Sequence, residues 1–216
     1  MLMGIPEGMR AGAILIDPAY WWKARSEKGE GRSARRHYKD GKAMTLEEIK
    51  AYPVVDYAAA DCFLFSWIPS TFLPVAFEIM DAWGFPFSST AFCWVKLTRE
   101  RTRGYAGSTE GFPLQDLAEY RALVRTGKGF HMGNGYTTRK NIELCLLGRR
   151  GNPKRLSASV RELIIAPVRE HSRKPDEQYE RIEKFCAGPY LELFARQRWP
   201  GWTSIGDQLD HFKVAS

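Results

Sequence analysis

Short runs of aliphatic and aromatic residues, alternating with helical patterns, constrain the fold of this chain more than any other feature. The runs cover residues 13–16, 62–67, 90–95, 143–147, 163–166 and 190–194. Each has the length of a buried strand. Apolar residues at helical spacing predict a helix over residues 72–83, and Pro175 before Asp176-Glu177 predicts the start of another. This alternation favours an α/β fold with a mostly parallel sheet and helices on both faces.

Sheets of this kind bind ligands beyond the carboxyl ends of their strands, so the loops after the strands are the places to look for a site. The loop after the first run is Asp17-Pro18-Ala19-Tyr20. Asp17 and the carbonyl of Pro18 are two hydrogen-bond acceptors, proline stiffens the turn, and the ring of Tyr20 can stack on a base. Asp-Pro is also an ordinary way to start a turn, so these residues alone leave a purely structural role open.

Further motifs follow in a defined order along the chain. They are Ala59-Ala60-Asp61-Cys62-Phe63-Leu64-Phe65-Ser66-Trp67, Ala82-Trp83-Gly84-Phe85, Trp94-Val95-Lys96, Leu146-Leu147-Gly148-Arg149-Arg150-Gly151-Asn152-Pro153, Glu170-His171-Ser172-Arg173-Lys174-Pro175-Asp176-Glu177 and Leu191-Glu192-Leu193-Phe194-Ala195-Arg196. Together with the Asp17 loop, over about residues 13 to 208, this order resembles the MT-A family of methyltransferases. Members of that family methylate the N6 amino group of adenine with S-adenosylmethionine as the methyl donor.

The resemblance implies a Rossmann-like class I methyltransferase fold with permuted motif order, in which the catalytic loop comes early and the cofactor strand comes late. It also implies that Asp17, Pro18, Ala19 and Tyr20 form the catalytic loop. The N6 nitrogen is a weak nucleophile because its lone pair is delocalised into the ring. Acceptors on its two hydrogens would hold that lone pair towards the methyl group. A base in a duplex first has to leave the helix, and stacking on Tyr20 offsets part of that cost.

The resemblance further assigns a set of residues to the cofactor, S-adenosylmethionine. They are Asp17, Lys96, Phe194, Arg196, Asp207 and Gln208. Asp207 and Gln208 match positions that hold its ribose and adenine, and Lys96 matches a position near its methionine end. From residue type alone, Lys96 could instead reach solvent, and Asp207 and Gln208 could belong to a solvated chain end. The segment His171 to Lys174 either contacts a ligand or shapes the entry of the next helix.

The catalytic loop departs from the family pattern at its third residue. The usual loop is Asp-Pro-Pro followed by an aromatic residue, whereas this chain has Ala19 before Tyr20. Alanine frees φ at that position and loosens the loop at an entropic cost of about 1 kcal/mol. Because the family includes subunits that keep the fold and lose catalysis, a noncatalytic nucleic-acid-binding or partner subunit is a second hypothesis beside an active enzyme.

Two long connections, at about residues 21–45 and 99–138, are both basic in a chain of net charge +7. We expect them to neutralise nucleic-acid phosphates, although solvated loops have the same composition. The residues expected to contact nucleic acid are Lys23, Arg25, Arg32, Arg35, Arg36, Lys39, Arg101, Arg103 and Lys128. The short format of the chain favours DNA over RNA as the substrate. Both a homodimer and a heterodimer are compatible with the sequence.

Length and composition set the remaining expectations. A chain of 216 residues with 44% hydrophobic content suits a single domain over residues 1–216. No apolar run reaches the roughly 20 residues that span a bilayer, and the start of the chain lacks the order of a signal peptide. We therefore expect a cytoplasmic protein of a bacterium or a phage-infected cell. Cys62, Cys93, Cys145 and Cys186 lie far apart, mostly in apolar runs, which predicts buried thiols and no metal site.

Overall fold

The structure, a computed structural model, describes residues 5–20, 43–98, 125–127, 129–133 and 137–212. Strands in these residues are β1 (Ala11–Ile16), β2 (Ala58–Ile68), β3 (Phe87–Leu97), β4 (Ile142–Arg150), β5 (Leu163–Pro167), β6 (Tyr190–Leu193) and β7 (Trp202–Ile205). The helices are α1 (Leu46–Lys50), α2 (Leu73–Ala82) and α3 (Glu177–Phe185), with a short 3-10 helix at Val54–Tyr57.

The strands form one mixed sheet in the order β5-β3-β4-β2-β1-β6-β7. Strand β1 runs parallel to β2 and β6, β7 runs parallel to β6, and β5 runs parallel to β3. Strand β4 is antiparallel to both of its neighbours, β2 and β3. The predicted α/β architecture is therefore confirmed, with one strand reversed inside an otherwise parallel sheet.

Both faces of the sheet are apolar, and a helix packs on each. Successive side chains of a strand point to opposite faces. Ile14 and Ile16 of β1 accordingly belong to the core cluster that contains the buried side chains of α2. Ala13 and Leu15 belong to the second cluster, with the buried aromatic and aliphatic side chains of α3. This two-sided burial explains why the strand reads as a continuous apolar run rather than as an alternating one.

The predicted strands and helices lie close to the observed ones, with two omissions. Helix α2 lies within the predicted span of residues 72–83, whereas α3 begins at Glu177, two residues after Pro175. Helix α1 was not predicted, although Thr45 and Glu48 form a capping box at its start, with mutual side-chain to backbone bonds. Strand β7 was also missed, because its four residues include a threonine and a serine and do not form an apolar run.

The site is positioned by the carboxyl ends of two neighbouring parallel strands. Ile16 of β1 is paired with Leu193 of β6, so Asp17 and Phe194 leave the sheet side by side. Gly206, just after β7, packs against the backbone of Ala195, which lies beyond the carboxyl end of β6. A Cβ atom at Gly206 would overlap the backbone of Ala195, so only glycine lets the two segments approach this closely.

The structure also bears on the expectations of buried cysteine thiols and of no membrane-spanning segment. Cys62, Cys145 and Cys186 are buried, as predicted, whereas Cys93 is only half-buried; all four are free thiols. Among the helices of the described residues, none has the length and apolar character required to cross a membrane.

Candidate active site

The catalytic loop predicted from the sequence follows β1 directly and is held by backbone hydrogen bonds. The carbonyl of Pro18 accepts the N–H of Tyr20 at 2.9 Å, and the carbonyl of Ala19 accepts the N–H of Met44 at 2.8 Å. Ala19 itself is buried, with 5% of its surface exposed. The loop therefore has a fixed conformation although its third residue is not proline.

A chain of four alternating charges runs from the catalytic loop across the sheet. Nζ of Lys174 lies 2.6 Å from Oδ2 of Asp17 and 3.5 Å from Oε2 of Glu143. The other carboxylate oxygen of Glu143 lies 2.5 Å from Nζ of Lys96. All four side chains are at least partly buried, so the low local dielectric strengthens these contacts. The two lysines and two carboxylates balance each other in charge.

Burial and pairing act in opposite directions on the two carboxylates. Burial raises the pKa of Asp17 above its usual range and outweighs the lowering by Lys174. At Glu143, burial also favours the neutral form, but Lys174 and Lys96 together hold the pKa below its usual range. The difference follows from the number of ammonium partners, one for Asp17 and two for Glu143.

Tyr20 is packed more tightly than a freely exposed stacking ring. Its side chain is 2% exposed, and its ring lies against that of Phe72 with 4.8 Å between centroids. Burial raises the pKa of Tyr20 far above its usual range, so the hydroxyl stays protonated. The remaining exposed edge of the ring lines the cavity described next.

A cavity of about 510 Å³ opens beside the catalytic loop. Its walls contain Asp17, Pro18, Tyr20, Lys96, His131, Glu143 and the segment from Val168 to Lys174. The structure thus brings Lys96 and the loop after β1 to the wall of one cavity. Burial and the nearby Lys96 lower the pKa of His131, which favours a neutral imidazole at this wall.

The other residues assigned to the cofactor meet at the end of β6. Nε of Arg196 donates to Oε1 of Gln208 at 3.0 Å, and Nη1 of Arg196 donates to the carbonyl of His171 at 3.1 Å. Phe194 adopts φ 61°, a left-handed conformation that is strained for this residue type, and its ring packs against Tyr52. Asp207 is exposed and lies close to Tyr52. Burial, Tyr57 and Asp207 together raise the pKa of Tyr52 to about 12.

A second, smaller cavity of about 30 Å³ lies between β6, α3 and the segment before α3. It shares Asp17, Ser172, Arg173 and Lys174 with the larger cavity. The ring of Phe212 also lines it and lies under two guanidinium groups, 4.5 Å from that of Arg196 and 5.4 Å from that of Arg173.

The smaller cavity contains an acidic residue that the sequence did not single out for a role. Both carboxyl oxygens of Glu192 lie within 3.1 Å of the Tyr179 hydroxyl, which also accepts a hydrogen bond from Gln197. Burial raises the pKa of Glu192 to about 8, helped by the negative charges of Asp17 and Asp176 and opposed by the bond from Tyr179. The carboxyl is therefore largely neutral at pH 7.

Two more residues of the site were missed or left without a definite role. The sequence left two roles open for Lys174, a ligand contact or a part of the helix entry. Glu143 lies inside an apolar run, and no role was predicted for it. Both Glu143 and Glu192 are acidic residues within apolar strand sequences. This pattern could have marked them as candidate site residues, because acids are rarely buried without a partner. Arg173 fills a structural role, because it bonds to Glu170 and Asp176 at the start of α3.

The residues predicted to contact nucleic acid lie outside the described part of the chain. They are Lys23, Arg25, Arg32, Arg35, Arg36, Lys39, Arg101, Arg103 and Lys128. Their role stays a prediction. The exposed cations Arg139 and Lys140 lead into β4, whose Glu143 lines the larger cavity.

Comparison with known proteins places the whole region in a family. A family model described as MT-A70 matches residues 12–116 and 114–208. The chain is 28% identical over 206 residues to an N(6)-adenosine-methyltransferase MT-A70-like protein of Arabidopsis thaliana, covering 94% of this chain and 24% of that protein. It is 30% identical over 154 residues to the N(6)-adenosine-methyltransferase catalytic subunit METTL3 of Homo sapiens, covering 69% of this chain and 22% of that protein.

A bacterial relative covers a larger share of its own length. The chain is 25% identical over 172 residues to the type II methyltransferase M.MunI of Mycoplasma sp, covering 79% of this chain and 60% of that protein. By contrast, the chain spans about a quarter of the length of the eukaryotic relatives. The shared part therefore corresponds to one region of those longer proteins.

Proposed function

The chain belongs to the MT-A70 family of methyltransferases, as its motifs predicted, and from this we propose that it transfers a methyl group from S-adenosylmethionine to the N6 amino group of adenine in DNA. The observation that carries the proposal is the position of Asp17. Asp17 directly follows the carboxyl end of β1, pairs with Lys174, and lines the larger cavity.

The acceptor groups of the catalytic loop suit an amino group with two hydrogens. Lys174 binds Oδ2 of Asp17, so Oδ1 is the oxygen that accepts one hydrogen of the adenine amino group. The Pro18 carbonyl has a second lone pair beyond the one used by the Tyr20 N–H and accepts the other hydrogen. Both acceptors are fixed before the substrate arrives, which is the condition for effective electrostatic catalysis.

The larger cavity has the size and walls expected for the target base. Its volume of about 510 Å³ falls within the range of small-molecule sites. Pro18, Tyr20, Pro69 and Trp94 supply apolar and aromatic surface, while Asp17, Lys96 and His131 supply polar groups. A base turned out of a duplex or taken from a single strand is recognised by this combination of stacking and hydrogen bonding.

The residues at the end of β6 fit S-adenosylmethionine. Among the described residues, the buried oxygen Oε1 of Gln197 has no hydrogen-bond partner, and it belongs to the wall of the smaller cavity. That wall also contains acidic and basic groups, which suits a ligand that carries both a carboxylate and positive charges. When bound, the cofactor supplies an activated methyl group as a sulfonium. Phe194, Arg196, Asp207 and Gln208 would hold its nucleoside end, and Lys96 would lie towards its methionine end.

The smaller cavity is too small for the whole cofactor, at about 30 Å³. Binding of the whole cofactor would therefore require the walls of this cavity, which include Arg196 and Phe212, to move apart. The loop with Asp17 follows the first strand, and Phe194 follows the sixth. This order supports the permuted motif order of a class I methyltransferase, which is part of the proposal.

DNA is the first candidate substrate, and RNA is the second. The similarity to the type II methyltransferase M.MunI supports DNA, whereas the basic residues between Lys23 and Lys42 suit the phosphate backbone of either polymer. The names of the eukaryotic relatives refer to adenosine, a ribonucleoside, which supports RNA. A noncatalytic role is disfavoured, because the loop at Ala19 keeps both acceptors in place.

A competition experiment separates these candidates. Purified protein is incubated with S-adenosylmethionine and an equimolar mixture of DNA and RNA of matched length and sequence, and the nucleosides are analysed by mass spectrometry. We expect N6-methyldeoxyadenosine to exceed N6-methyladenosine at least tenfold. The reverse ratio assigns the chain to RNA, and absence of both products in the mixture and in each polymer alone overturns the proposed function.

A further inference from the structure

Glu192 is an acid that has no cationic partner in the part of the chain that the structure describes, and it lies beside the proposed site of the methyl donor. Among the ion pairs of the described residues, none includes Glu192, whereas Asp17, Glu143 and Asp176 each pair with a lysine or an arginine. Its polar contacts are those to the Tyr179 hydroxyl. The side chain is partly exposed, and it lines the smaller cavity. Protein therefore surrounds much of the Glu192 side chain, while the side that faces the smaller cavity is open to a cation.

The register of the sheet places Glu192 beside the reacting end of the site. Glu192 of β6 is paired with Leu15 of β1, and Asp17 follows Leu15 by two positions, so the two acids lie on the same face. If Asp17 holds the amino group that receives the methyl, the sulfonium carrying that methyl lies close to Asp17. It then also lies close to Glu192, on the neighbouring strand.

The charges around Glu192 favour a change in its protonation when a cation arrives. Asp17 after β1 and Asp176 before α3 add negative charge, and Tyr179 of α3 donates a hydrogen bond. Lys174, Arg173 and Arg196 also line the cavity, but Lys174 pairs with Asp17, Arg173 pairs with Glu170 and Asp176, and Arg196 bonds to Gln208. From β7, the paired residue is Ser204, which carries no charge.

We propose that Glu192 is the residue that discriminates the positively charged methyl donor from its neutral thioether product, by losing its proton to solvent when the sulfonium binds and regaining it after transfer. The inference rests on the proposed function. The thioether product is S-adenosylhomocysteine, which differs from S-adenosylmethionine only in lacking the transferred methyl group and the positive charge on sulfur. A carboxylate beside the sulfur atom therefore distinguishes the two molecules. This change in protonation favours release of the product, because the neutral sulfur of the product offers no positive charge to the Glu192 carboxylate.

Burial makes this exchange measurable near neutral pH. Because the pKa of Glu192 is raised to about 8 without a bound cation, the group is mostly protonated at pH 7. A bound sulfonium lowers that pKa, so binding at pH 7 releases close to one proton. As the pH rises through 8 to 9, the free protein loses this proton itself, and release on binding declines towards zero.

Titration calorimetry in phosphate and in Tris, buffers with different protonation enthalpies, counts the protons released. We expect S-adenosylmethionine to release nearly one proton more than S-adenosylhomocysteine at pH 7, and the difference to disappear by pH 9. In Glu192→Gln the difference disappears at both pH values, and the ratio of the two affinities falls roughly tenfold, as expected for loss of one nearby charge. Glu180→Gln, the same change at an exposed position of α3, keeps the wild-type behaviour.

The outcomes separate this inference from the proposed function. Binding of both ligands to the wild-type protein with equal proton counts overturns the role of Glu192 and leaves the methyltransferase proposal standing. A proton difference that persists in a folded Glu192→Gln protein does the same. No binding of either ligand to the wild-type protein overturns both. The pH series on the wild-type protein decides the question even if the variant does not fold.

Discussion

Nζ of Lys174 lies 2.6 Å from Oδ2 of Asp17, although the two residues are 157 positions apart in the chain. Lys174 belongs to the segment before α3, and Asp17 follows β1. The contact therefore links the first strand of the sheet to the late part of the chain. It orients the carboxylate that the proposed reaction uses, and it supplies the positive charge that opposes the effect of burial on Asp17.

The pH dependence of activity tests this contact. Lys174→Met removes a charge that lowers the pKa of Asp17, so the pKa rises further and the acid limb of the activity profile moves to higher pH. We expect kcat at pH 7 to fall roughly 10- to 100-fold and to recover in part as the pH is raised. Lys174→Arg keeps the charge and retains more activity. Lys50→Met, which breaks a surface pair with Glu78, serves as the control. Loss of activity without a shift of the acid limb contradicts this role.

Stability depends on Glu143, which is shared by two lysines. Glu143→Gln leaves Lys96 and Lys174 without their common carboxylate, and we expect a loss of about 1–3 kcal/mol at pH 7, less than for a fully buried pair because Glu143 is 29% exposed. The folded-state pKa of Glu143 lies below its ordinary value of 4.5, so its contribution is present above that value and is lost as the pH falls through the folded-state pKa. Urea unfolding at pH 7 and pH 4 measures the difference. A loss that is equal at both pH values, or no larger than that of the exposed control Glu180→Gln, contradicts the prediction.

Ala19 is the position at which the chain differs from the family pattern. Its carbonyl is already bonded to the N–H of Met44 at 2.8 Å, and its side chain is buried, so tertiary contacts supply the rigidity that a second proline would add. We therefore expect Ala19→Pro to change kcat less than about twofold. Steady-state kinetics with saturating substrates provide the measurement. A several-fold increase would show that the loop is loose in the native protein.

Salt dependence tests the basic residues after the catalytic loop. If Arg35 and Arg36 contact phosphates, changing both to alanine lowers the slope of log K against log salt concentration by about 2 units. Lys154→Ala with Arg155→Ala removes the same charge from an exposed segment after β4 and leaves the slope nearly unchanged. Fluorescence anisotropy with a labelled duplex between 50 and roughly 200 mM salt covers the useful range. Equal slopes for the wild type and the Arg35/Arg36 double variant contradict a role in phosphate binding.

Local patterns predicted six of the seven strands of the described residues, because burial on both faces leaves a visible apolar run such as the one before Asp17. The direction of β4 could not be predicted in this way, since an apolar strand has the same composition in either direction. Strand β7 was missed because a four-residue edge strand containing Thr203 and Ser204 needs little apolar surface.

The partners within the site depend on tertiary structure that no local pattern records. Lys174 and Asp17 meet because the end of β1 and the segment before α3 reach the same edge of the sheet. Glu143 and Glu192 were visible as acids in apolar runs, but their partners come from other strands and from α3. Residue type could therefore mark unusual positions, while the roles followed from the geometry.

The proposed role of Asp17 in N6 methylation can be tested by the rate at which methylated adenine is formed. N6-methyladenine formed in DNA under single-turnover conditions is measured by mass spectrometry for the wild type, for Asp17→Asn, and for Asp56→Asn as a matched control at an exposed position. We expect product with the wild type and with Asp56→Asn, and a rate at least about 100-fold lower with Asp17→Asn, because one fixed acceptor of the amino group is weakened. Equal rates for Asp17→Asn and the wild type would contradict it.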